Sequence, residues 1–197
     1  MAVHVLKKGL DLPITGAPEK RVHEAPATAN VAILARDYPF MKPRMHVAEG
    51  DRVKRGQLLF EDRKTEGVKF TAPGAGTIVA INRGARRALR SVVIELTDSE
   101  REGRPGDDDF QPFDSYSGAE VSELGGDAVR DLLVESGLWT AIRRRPFSNV
   151  PSPQESCRSI FVTALDTDPL GCDPQVALKG RGEDFQRGLW ALSHLTE

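Results

Sequence analysis

The side chains able to do chemistry in this sequence form few of the constellations that chemistry requires. Cys157 and Cys172 are the two cysteines, 15 positions apart and without a C-x-x-C. They cannot by themselves hold a zinc or iron–sulfur centre, and so low a count fits a reducing cytoplasm. His4, His23, His46 and His194 show no metal-ligand spacing. Ser136 and Ser148 lack a G-x-S-x-G context or a nearby histidine, so nucleophilic catalysis is not expected. No catalytic, cofactor-binding or metal-binding residue is therefore expected in this segment. Charged and aromatic groups remain. Arg143, Arg144 and Arg145 could bind an anion such as a lipid headgroup or an acidic partner surface, or could serve as a solubilising helix end. Arg83, Arg86, Arg87 and Arg90 make a basic hairpin, read as facing a partner rather than nucleic acid. Asp166 and Asp168 precede Pro169 either as remnants of a cofactor site or as turn residues. Trp139 and Trp190 are expected as core anchors.

The elements that must position these groups divide the 197 residues in three. Residues 1–97 alternate short apolar runs with turn residues. Val53, Leu58–Phe60, Val68–Phe70, Thr77–Ile81 and Val92–Leu96 read as strands, punctuated at Gly50, Gly56, Pro73-Gly74 and Gly84. Residues 98–118 are polar, acidic and rich in Gly and Pro, the composition of a solvated linker whose Phe110 and Phe113 could dock onto a neighbouring surface. In residues 119–197 the apolar period lengthens. Asp127 can cap a helix whose face is Val129, Leu132 and Leu133, and Gly137 can stop it. Leu138 to Ile142 continue as a short turn or helix before Arg145-Pro146. Ser159–Ala164 reads as a buried strand, and Phe185, Leu189 and Leu192 as another helical face. One such strand cannot make a sheet, so this α/β unit is expected to be cut short.

Composition supports a packed protein: 39% of residues are hydrophobic and 28% charged. The net charge of -2 gives no general case for nucleic-acid binding. No apolar run approaches the roughly 20 residues a membrane span needs. The first residues lack the pattern of a secretory leader, so a cytoplasmic protein is expected.

Two stretches carry a specific pattern, Val47-x-Glu49-Gly50-Asp51-x-Val53-x-x-Gly56-Gln57-x-Leu59 and Ala72-Pro73-x-x-Gly76-x-Ile78-x-x-Ile81. Together they resemble the biotinyl/lipoyl-type barrel-sandwich hybrid, in which two hairpin halves pack over a small core. Gly50-Asp51 would close one hairpin, Val53 and Leu59 would point inward, and Gly76 would allow a tight turn. Carriers of that type modify a lysine at an exposed hairpin. The corresponding Lys64 lacks their flanking residues and reads as a solvated turn lysine.

A longer resemblance runs over nearly the whole chain. Lys7-Lys8-Gly9-Leu10-Asp11-Leu12-Pro13-Ile14, Met41-Lys42-Pro43-Arg44-Met45-His46-Val47, Ile81-Asn82-Arg83-Gly84-Ala85-Arg86-Arg87, Val134 to Ala141 and Arg145-Pro146-Phe147-Ser148 resemble the A subunits of the Na+-translocating NADH:quinone oxidoreductases. So does Phe161-Val162-Thr163-Ala164-x-Asp166-Thr167-x-Pro169-Leu170. The resemblance implies an α+β, multi-domain fold: a barrel-sandwich hybrid, then the start of a Rossmann-like α/β domain related to the flavin subunits of respiratory complex I. It implies a peripheral subunit on the cytoplasmic side of the bacterial inner membrane, contributing to assembly and quinone interaction. It implies no redox centre in this segment: NADH, flavins, iron–sulfur centres and ubiquinone would belong to the whole complex. The partners would be the other subunits and could include ubiquinone, with the membrane reached through those subunits and no nucleic acid.

Two alternatives have different chemistry, a flavin-binding NADH dehydrogenase subunit of the complex I or Rnf type and a lipoyl-like binding module. The resembling flavin subunits follow their helix end with a glycine-rich loop whose amides approach the flavin phosphate. Here Ser136-Gly137-Leu138 is followed by Trp139-Thr140-Ala141-Ile142-Arg143-Arg144-Arg145-Pro146-Phe147, and side chains would block that approach. A degenerate flavin site is expected.

Overall fold

A computed structural model of the chain describes residues 5, 9, 14–164, 168 and 170–196. His4, Lys7-Lys8, Leu10 to Pro13, Asp166, Thr167 and Pro169 lie outside the described residues. The architecture is α+β. Among the described residues, seven strands form two antiparallel sheets: β1 (Asn30–Leu34), β2 (Pro43–Met45), β3 (Arg52–Val53), β4 (Leu58–Asp62), β5 (Lys69–Thr71), β6 (Gly76–Arg83) and β7 (Leu89–Leu96). One sheet runs β1-β7-β6-β3 and the other β2-β4-β5. The helices are α1 (Asp98–Arg101), α2 (Gly126–Glu135), α3 (Pro174–Ala177) and α4 (Gly182–Ser193).

The strand residues read from the sequence fall where expected, and Val53 and Leu59 are buried. Leu59, Phe60, Val68, Ile78, Val92 and Ile94 are fully buried. The pairing of β4 with β5 shifts register between Leu58 and Phe60, and this bulge breaks the alternation so that the consecutive Leu59 and Phe60 are both buried. Phe60 stacks on its cross-strand partner Phe70 with centroids 4.6 Å apart, and Phe70 meets Tyr38 edge-on at 4.7 Å. Gly76 serves a different purpose from the expected tight turn. A Cβ there would lie 2.0 Å from the Glu95 carbonyl oxygen, so glycine permits the close approach of β6 to β7.

The polar stretch after β7 is anchored at its start. Thr97 caps α1, and the buried Glu100 carboxylate accepts the Ala75 amide at 2.8 Å and Arg55 Nε at 3.0 Å, with Arg55 Nη2 on its second oxygen. The Arg55 amide donates to the Asp109 carbonyl and the Gln111 amide to the Arg55 carbonyl, both at 2.8 Å. Phe110 lies under the Arg55 guanidinium, and the Phe113 ring covers Gly56. The Ser99 hydroxyl and Gly106 amide hold the Asp109 carboxyl below its ordinary pKa.

Helix α2 has Gly125 as its N-cap, with Asp127 in its first turn rather than at the cap, and ends before Gly137, which takes φ +81°. Val129, Leu133 and Val134 face the core. The Ser115 hydroxyl and amide, with the Asp114 amide, bind Glu135 and depress its pKa. The expected strand over 159–164 does not form: Phe161 is 90% exposed and no ladder reaches these residues. An apolar run becomes a strand only where a neighbour takes its amides and carbonyls, and no described segment does so.

By internal contacts the chain falls into two compact units, Ala25–Ile160 with Arg187–Glu197, and Met1–Glu24 with Phe161–Gln186. In the second, Lys20 pairs with Asp173 at 2.8 Å, and Asp173 caps α3 through the Gln175 amide.

Candidate functional site

A cleft in the first unit is built from three pieces of chain. After β1, a 3-10 turn at Ala35–Asp37 delivers Tyr38, Phe40 and Met41. The β4–β5 hairpin adds Lys64 and Phe70, and Val150 closes the third side. The hairpin loop is fixed by the buried Asp62 carboxylate, which accepts the Lys42 and Lys64 amides at 2.9 Å each. With its tip so held, the exposed Lys64 side chain stands at the rim. Tyr38 is held between the edge of Phe70 and the Arg143 guanidinium, which lies 4.6 Å from the Tyr38 ring centroid. Arg143 Nη1 is buried with no hydrogen-bond partner.

Beside the cleft, Phe40 and Phe147 remain 64% and 68% exposed and face each other edge-on at 6.5 Å. Phe40 takes φ +68°, a conformation a bulky residue adopts at a cost, so the backbone holds this ring out against its own preference. The cavity volume is about 40 Å³. That space does not enclose a ligand, which typical sites do in roughly 300 Å³ or more. Chemically its lining offers the Tyr38, Phe40 and Phe70 rings and the exposed Lys64 ammonium, an aromatic surface with one cation at its edge.

The three consecutive arginines separate. Arg143 covers Tyr38, Arg144 pairs with Glu155 at 2.7 Å, and Arg145 is exposed. Trp139 is buried and donates its indole N–H to the Pro151 carbonyl at 2.9 Å, whereas Trp190 is 50% exposed on α4 and is not the expected core anchor. Its position falls on a helix side that the core does not cover. His46 lies 3.2 Å from Glu61, His23 3.4 Å from Glu19, and His194 contacts the Trp190 carbonyl. Among the described residues no group of three or more His, Cys, Asp or Glu could hold a metal. Tyr38, Phe40 and Met41 were not singled out by sequence reasoning; the available signal was Tyr-Pro-Phe between an apolar run and Lys42-Pro43.

Comparison with known proteins places this geometry in a family. The family model for the NqrA N-terminal barrel-sandwich hybrid domain matches residues 4–97, and that for the NqrA second alpha/beta domain matches residues 124–197. The chain is 50% identical over 192 residues to the A subunit of the Na(+)-translocating NADH-quinone reductase of Alcanivorax borkumensis and to that of Neisseria meningitidis serogroup B. It is 51% identical over 190 residues to the corresponding protein of Pseudomonas aeruginosa. These alignments cover 96–98% of this chain and 41% of each relative, so the chain spans less than half their length. With the two NqrA domains matched in order and half its residues shared with these reductase subunits over nearly its whole length, the chain belongs to the NqrA family.

Proposed function

We propose that this chain works as part of the NqrA subunit of a Na+-translocating NADH-quinone reductase, docking on the other subunits and contacting quinone without a redox centre of its own. The observation that carries this reading is the 50% identity to an NqrA protein across 98% of the chain. The placement is peripheral, on the cytoplasmic side of the inner membrane. No helix among the described residues is long and apolar enough to cross a bilayer. NADH, flavins, iron–sulfur centres and ubiquinone belong to the whole complex. A flavin role here is disfavoured because the buried Trp139 indole and the Arg143–Tyr38 stack occupy the stretch that a glycine loop would need. The division into a barrel domain over 1–97, a linker over 98–118 and an α/β portion over 119–197 goes with this reading.

The quinone contact is the cleft at Tyr38 and Phe40. A quinone is planar and apolar with two carbonyl acceptors. The exposed Phe40 and Phe147 rings present faces for stacking, and the exposed Lys64 in the cleft lining supplies a donor for a carbonyl. Irradiating the assembled reductase with a photoreactive ubiquinone tests this. The expected result is label on the peptides containing Tyr38–Met41 or Phe147–Val150, competed by unmodified ubiquinone. Label confined to other subunits would remove the quinone contact from this chain.

A further inference from the structure

The β6–β7 hairpin carries Arg83, Arg86, Arg87 and Arg90, and no acidic residue lies between Glu66 and Glu95. Its tip is a turn of type I′. Arg86 and Arg87 take φ +53° and +60°, the Ala88 amide donates to the Ala85 carbonyl at 3.2 Å, and the Gly84 amide to the Ala88 carbonyl at 2.7 Å. That turn is free of strain for Asn-Gly or Gly-Gly; a side chain with a Cβ is opposed at both central positions. This chain places arginine at both. Packing does not explain the choice, because both residues are exposed. Nor does pairing: the arginine ion pairs among the described residues all lie elsewhere. Arg83 Nη1 donates to the Arg87 carbonyl at 3.2 Å, and Arg90 runs across Gly84, so these two brace the turn. Glu49 approaches the hairpin at its base, where its carboxylate accepts the Ile81 amide at 2.6 Å.

We propose that this tip docks on the headgroup phosphates of an anionic bilayer. A guanidinium fork matches two phosphate oxygens, and a rigid turn presents two such forks already ordered. The residues flanking them are Ala85 and Ala88, which offer no aromatic or branched anchor of the kind that seats a protein interface. A bilayer surface needs no such anchor, and its anionic lipids reward each clustered cation roughly additively. The chain carries a net charge of -2, so the attraction comes from the local cluster. The inference stands on the hairpin itself and does not depend on the reductase assignment.

Cosedimentation of the full chain with unilamellar vesicles tests it. Vesicles of phosphatidylcholine with about 30% phosphatidylglycerol are expected to bind at roughly millimolar lipid, and pure phosphatidylcholine is not. Binding should fall as salt rises from about 0.1 to 0.5 M. The double substitution Arg86→Asn with Arg87→Gly gives the turn its preferred residues, so the fold is retained, and is expected to weaken binding about thirtyfold. Arg86→Lys with Arg87→Lys keeps the charge and loses both forks, so its binding should fall between that of the unsubstituted chain and that of the Asn-Gly variant. Equal binding to both vesicle types, unchanged binding by the Asn-Gly variant, or release by inorganic phosphate at constant ionic strength would each overturn the proposal. So would binding of a single-stranded oligonucleotide without binding to phosphatidylglycerol vesicles.

Discussion

Glu100 sits among Asp98, Glu102 and three further aspartates in a stretch whose composition points to solvent, yet its side chain is 2% exposed. What draws it inside is Arg55, 45 positions earlier, together with the Ala75 amide that would otherwise be buried without a partner. Removing the carboxylate leaves that amide unsatisfied, while Arg55, half-exposed, can turn to water. Glu100→Ala should therefore cost about 2–3 kcal/mol of stability, read from the urea midpoint at unchanged m-value. A cost below about 0.5 kcal/mol would mean the pair is ornamental. Neither this pair nor the left-handed Arg86-Arg87 turn was legible in the sequence. Charge order along a chain does not say which acid faces inward, and Gly84 marks a turn without saying which residues take positive φ. Trp139 was legible as a core residue because a bulky indole follows a helix stop. Trp190, equally bulky, was not placed correctly, because α4 leaves that side uncovered.

Among the elements, strands with two-residue alternation and glycine punctuation could be read, since one face of each packs inward while the other meets solvent. Strands β1 and β2 were not. The first is an edge strand whose apolar run lacks flanking turn residues. The second begins with Pro43, which an edge position tolerates because no ladder amide is needed there. The cleft was illegible for the same reason, since Tyr38 and Phe40 come from the loop between these two strands. At the end of α2, Gly137 combines φ +81° with contact to Thr71, whose hydroxyl donates to the Ser136 carbonyl at 2.7 Å. A Cβ at this position would lie 2.3 Å from Thr71 Oγ1. Gly137→Ala should cost about 2–3 kcal/mol in thermal or urea unfolding, and only about 1–1.5 kcal/mol in a Thr71→Ala background, where the hydroxyl clash is gone and the backbone term remains beside a 3.1 Å approach to the Cβ at position 71. Equal costs in both backgrounds would show that the helix end does not press on β5.

At the scale of the whole molecule, the proposed function makes the chain one surface of a larger machine. The identity to NqrA proteins points the same way, although the chain spans 41% of their length. The measurement that bears most directly on this is affinity purification of the tagged polypeptide from detergent-solubilised membranes of cells that also express the other reductase subunits. The prediction is that those subunits and a sodium-stimulated NADH:quinone reductase activity elute with it. Elution of the polypeptide alone, with the activity left in the unbound fraction, would contradict its place in the reductase.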